Sequence, residues 1–73
     1  MNLYLVDTNV GCGIREAETE EGARVAILTE IGTMNQVRSI RKATVKDIVY
    51  VRAMSGWLPK SAIALLKTER FNT

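Results

Sequence analysis

Three groups of side chains have types and spacing that bear on chemistry: the lone thiol Cys12 between Gly11 and Gly13, the carboxylates Glu16, Glu18, Glu20 and Glu21, and the cations Arg38, Arg41, Lys42 and Lys46. A reactive thiolate needs a helix N-terminus or a cationic neighbour to lower its pKa, and Arg15 is the only nearby candidate. The four carboxylates could hold a hard cation, but three of them fall at a strand-to-helix junction, where the helix dipole accounts for them. Gly11-Cys12-Gly13 does not match a phosphate loop, because no helix begins there and no lysine follows at the required position. The sequence has no histidine, so the commonest general base and an ordinary zinc ligand are both missing. The expectation is a non-catalytic protein with no metal, no cofactor and no small-molecule substrate.

The basic group is the more serious candidate. Alternate residues of a strand and the start of the next helix can present several cations to phosphates, so nucleic acid is a possible partner. No aromatic residue is interleaved with these cations, and stacking platforms are what make single-strand or RNA binding persuasive. Charge is also polarised along the chain. Residues 1–36 hold two cations against six acids, a net of −4, and residues 37–73 hold eight against two, a net of +6. That asymmetry either steers a charged partner or lets the two halves attract each other within the fold.

The elements that position these groups follow from periodicity. Asn2 to Asp7 alternates polar and apolar residues, Thr8-Asn9-Val10-Gly11 supplies turn residues, and a second strand from about Cys12 to Ala17 completes a hairpin, with Gly11 and Gly13 offering positive φ or a bulge. Thr19 stands as an N-cap with Glu20 and Glu21 in the first turn. Ala23, Ala26, Ile27 and Ile31 then recur at helical spacing, widened by Val25 and Leu28, up to Gly32 at the left-handed C′ position. Gln36 to Ala43 reads as a third strand, basic on its exposed side. Thr44 and Asp47 form a capping box for a second helix, whose face is Val45, Ile48, Val49 and Arg52 to Ala53, with Val51 and Met54 alongside and Gly56 as its left-handed end. Ser61 to Phe71, with Ile63, Leu65 and Leu66 on an apolar side, is either a third helix or a mobile tail.

These elements predict an α+β fold in two layers: a three-stranded antiparallel sheet of order 2-1-3 with two helices, ββαβα, on one face. Residues 1–59 form the single domain and residues 60–73 a basic C-terminal tail, helical or disordered. An open sheet face would carry either Tyr4 with Val6 or Leu3 with Leu5. Trp57 either lids the core or anchors an interface. Candidate partner-binding residues are therefore Tyr4, Val6, Arg38, Arg41, Lys42, Lys46 and Trp57, and an uncovered sheet edge is available for strand addition.

At 73 residues the chain has room for one core and buries only about 60% of its unfolded surface. One cysteine cannot form an intramolecular disulfide. An unpaired thiol with no secretory signal points to a reducing cytoplasm, and no apolar run approaches a membrane span.

The stretch Ile40 to Pro59, with Ala17 to Arg24, resembles the strand-helix-strand-helix pattern of short early proteins from tailed bacteriophages, over roughly residues 2–59. In length and layout the chain is also similar to small regulators of host bacterial RNA polymerase of the type encoded by Xanthomonas-infecting phage. That resemblance implies a location in the host cytoplasm and contact with the amino-terminal region of the polymerase β′ subunit. It also implies displacement of the σ factor and antitermination. Two readings stand beside it: a nucleic-acid-binding module using the basic strand, and an anti-defence protein directed at another host factor.

Overall fold

The computed structural model describes residues 2–71. The elements run β1 (Asn2–Thr8), β2 (Gly11–Ala17), α1 (Glu20–Ile31), β3 (Val37–Lys42), α2 (Val45–Ala53) and α3 (Lys60–Phe71). The sheet is antiparallel with order β2-β1-β3, the expected α+β arrangement. Asn72 and Thr73, the end of the expected tail, lie outside the described residues.

The expected layering is corrected. The helices do not share a face, because β1 is apolar on both. Tyr4 and Val6 are buried in a cluster with Ala17, Ala23 and Ile27 under α1. Leu3 and Leu5, on the opposite pleat, pack against a second cluster of Ile14, Ile48, Val51, Ala62 and Leu66, built with α2 and α3. Alternation along a strand sends successive side chains to opposite sides, so the sheet becomes the middle layer of three. α3 belongs to the second cluster through Ala62 and Leu66, and the apolar positions Ile63 and Leu65, expected to pack, stand partly exposed.

Local chemistry sets the turns and helix ends. The buried Thr8 hydroxyl donates to the Gly11 carbonyl at 2.6 Å and accepts from the Val10 amide at 3.2 Å, closing the hairpin turn. Asn9 ties that turn to the start of β3: its backbone N–H donates to the Gln36 carbonyl and its side chain accepts from the Gln36 amide. Thr19 accepts from the Gly22 amide as N-cap of α1, and Gly32 ends the helix at φ 106°. The Asn35 side chain donates to the Ile31 carbonyl at 2.7 Å, satisfying a carbonyl left open at the helix end.

Two glycines differ from expectation. The left-handed residue after α2 is Ser55, at φ 58°, and not Gly56. Gly56 is required by close approach: a Cβ there would lie 2.7 Å from both the Cys12 carbonyl oxygen and Val51 Cγ1. Gly13 likewise has no positive φ. The Trp57 side chain lies directly against it, and a Cβ at position 13 would sit 2.8 Å from Trp57 Cβ.

Trp57 therefore occupies the outer edge of β2, where it forms a parallel bridge to Gly13 and its carbonyl accepts from the Ile14 amide at 2.8 Å. Its ring packs on the α1 cluster while the next residue, Leu58, packs on the other cluster. The two-residue segment alternates like a short strand and fastens both layers to β2. Among the described residues, no helix is long and apolar enough to cross a membrane.

Gly13→Val should force Trp57 off the sheet and destabilise the fold by about 1–3 kcal/mol, the usual range for overpacking. Urea unfolding followed by the emission of the single tryptophan checks this; the expected result is a lower midpoint with a red-shifted native spectrum.

Candidate functional site: the basic edge and the outer face of the second helix

The junction between β3 and α2 gathers most of the candidate cations. Its organising contact is Arg41 with Asp47, a bidentate pair with both N–H···O distances at 2.7 Å. Asp47 Oδ2 also accepts from the Thr44 amide at 2.8 Å, while Thr44 Oγ1 accepts from the Asp47 amide at 3.3 Å. The expected capping box is thus present, with the basic strand locked onto it. The Arg41 guanidinium, with the two Thr44 donors, holds the Asp47 carboxyl well below its usual range, at about 2, against the opposing cost of burial. Arg41 is correspondingly pushed up.

The four cations do not form one patch. Arg41 shares the α2 side of the sheet with Leu5, whereas Lys42 lies opposite Tyr4 on the α1 side. Arg38 is the extra residue of a bulge, since Thr8 pairs with Val37 and Asp7 with Ser39. Lys46 is exposed on the first turn of α2. Arg41 is partly neutralised by its carboxylate, leaving Arg38, Lys42 and Lys46 as the cations without an ion pair among the described residues of this junction.

Three other candidates lie in the interior or away from the junction. Tyr4 and Val6 are buried beneath α1, which corrects their assignment to an open face: β1 has no open face. Trp57 is half-buried on the far edge, with the Arg15 guanidinium 5.6 Å from its ring centroid. Arg15 is in turn paired with Glu30 of α1.

Sequence periodicity misplaced the exposed face of α2. Of the residues expected to pack, Ile48 and Val51 are buried, whereas Val45, Val49 and Met54 are exposed. The outward side carries Val49 at 52% exposure, Tyr50 at 56% and Met54 at 59%, with Val45 at its margin. Lys46 and Arg52 are exposed on the same helix, three residues before and three after Val49. Apolar residues occur on both arcs of α2, so periodicity alone does not say which arc is core.

Cys12 lines a depression of about 230 Å³ with Val10, Met54 and Trp57, between the hairpin turn and the end of α2. No carboxylate or amine is among the residues lining it. Glu16, Glu18, Glu20 and Glu21 are all exposed, and among the described residues no three metal-ligating side chains converge. No family model matches the chain, and neither a curated protein nor a solved structure matches it.

Because the folded pKa of Asp47 is below the unfolded value of about 3.9, its contribution to stability is complete above that value and is lost as pH falls through about 2. Urea unfolding between these limits should give stability that rises with pH, and Asp47→Asn should flatten that slope while lowering stability at neutral pH. Thr44→Ala should cost about 1 kcal/mol through loss of the cap.

Proposed function

We propose that this chain works by binding a protein, and that the protein is bacterial RNA polymerase. The observation that carries a protein partner is the outward face of α2. Val49, Tyr50 and Met54 are each more than half exposed on a helix whose inner face is already core. Each such side chain left in water forgoes on the order of 1 kcal/mol of burial, and contiguous apolar surface of this kind marks a recognition site. Tyrosine supplies a large, rigid anchor of the type that dominates protein interfaces.

The identity of the partner is supported by the resemblance of residues 17–24 and 40–59 to short early proteins of tailed bacteriophages and by a length and layout similar to phage regulators of host transcription. On that reading the chain engages the amino-terminal region of the β′ subunit, displaces σ and so blocks initiation, with antitermination as a further consequence. It is a binding protein and not an enzyme, acting in the host cytoplasm. Nucleic acid is the less favoured partner: Arg41 is engaged with Asp47, and Lys42 and Arg41 point to opposite sides of the sheet.

Immobilised chain should retain RNA polymerase from a bacterial lysate, and added chain should lower promoter-dependent transcription by purified holoenzyme. Val49→Asp with Tyr50→Asp should reduce retention more than about tenfold, more than 1.4 kcal/mol of binding, with an unchanged melting temperature. Recovery of a nuclease or restriction subunit alone, or retention indifferent to the α2 substitutions, would count against the proposal.

A further inference from the structure

We infer that the outer edge of β3 accepts, as a fourth strand, an extended segment of a partner protein that carries both apolar residues and acids. The two edges of the sheet are treated differently by the fold. The β2 edge is taken up at its centre by Trp57, through the bridge to Gly13 and the Ile14–Trp57 hydrogen bond. The β3 edge has no such cover: among the described residues β3 pairs with β1 alone. An unpaired edge offers a row of backbone donors and acceptors to an incoming strand.

Side chains along this edge specify what that strand must carry. On the α1 side, Val37 and Ile40 are half-buried, and with Leu28 and Ile31 of α1 they form the outer margin of the first cluster. An added strand places every second side chain on that side, against an apolar ledge. On the opposite side Ser39 and Arg41 are exposed, Arg38 is exposed at the bulge, and Lys42 is exposed at the end of the strand on the α1 side. From Val37 through Ile48 the sole carboxylate is Asp47, already engaged with Arg41. The edge therefore carries uncompensated positive charge at Arg38 and Lys42, and acids of the incoming strand beside those two residues would answer it.

The same charge argues against a second copy of the chain as occupant. Antiparallel pairing of two β3 strands centred on each other would set Arg38 of each opposite Arg41 or Lys42 of the other, and like charges across a sheet repel. This inference does not depend on which protein supplies the segment.

The test uses the full chain, labelled with ¹⁵N, titrated with a short capped peptide of alternating valine and glutamate. The expected result is amide shifts and slowed hydrogen exchange confined to Val37–Lys42 and its flanks, with affinity falling as salt rises. The peptide with lysine in place of glutamate should not bind. Arg38→Glu with Lys42→Glu should weaken the glutamate peptide by more than about tenfold, whereas Glu20→Lys with Glu21→Lys should not weaken it. No binding of the glutamate peptide, equal binding of the lysine peptide, or shifts centred on Val49, Tyr50 and Met54 would overturn the inference. A response at β3 to a short DNA or RNA duplex but not to the peptide would overturn it in favour of a nucleic-acid edge.

Discussion

The structure depends on the two-sided burial of β1. A sheet of three short strands cannot screen enough apolar surface from one side alone, and in a chain of this size the interior is at a premium. Tyr4 and Val6 project into the cluster beneath α1, and Leu3 and Leu5 into the cluster beneath α2 and α3. The same seven residues of β1 therefore hold two cores together, and neither helical layer rests on a strand of its own. The flanking details serve this arrangement. Gly13 lets Trp57 lie flat against β2, Gly56 lets the end of α2 approach Cys12, and Leu58 turns the chain into the second core.

Much of this was legible in the residues. Thr19 with Glu20 and Glu21, and Thr44 with Asp47, marked both helix starts because an exposed hydroxyl followed by early acids satisfies amides that nothing else can reach. The strand order followed from a hairpin and a helix that has to return along the sheet. The layering was not legible. Alternation shows that β1 has two faces, but Tyr4 with Val6 and Leu3 with Leu5 are equally apolar, and only tertiary packing shows that both are covered. Gly13 looked like a turn residue because glycine after a turn commonly is one; its reason lies in Trp57, forty-four positions later in the numbering of the chain.

The candidate site was half legible for a related reason. Arg38, Arg41, Lys42 and Lys46 are near one another in sequence, and the pleat together with a bulge at Arg38 then distributes them over both sides of an edge. Arg41 is spent on orienting Asp47, so a cluster that looks like a phosphate-binding stripe is partly a structural fastening. The outer face of α2 was hidden by its own hydrophobicity: with apolar residues around most of the helix, periodicity cannot say which arc is core. Among the surfaces that the two cores leave uncovered are an apolar side of α2 and a basic sheet edge, and the proposed recognition rests on these.

Amide hydrogen exchange of the whole chain, free and in the presence of purified bacterial RNA polymerase, tests this account most directly. It predicts that β1 amides exchange only through global unfolding in both states, and that polymerase adds protection on α2 or β3 alone. New protection centred on α1, or β1 amides that open independently of either helical layer, would contradict it.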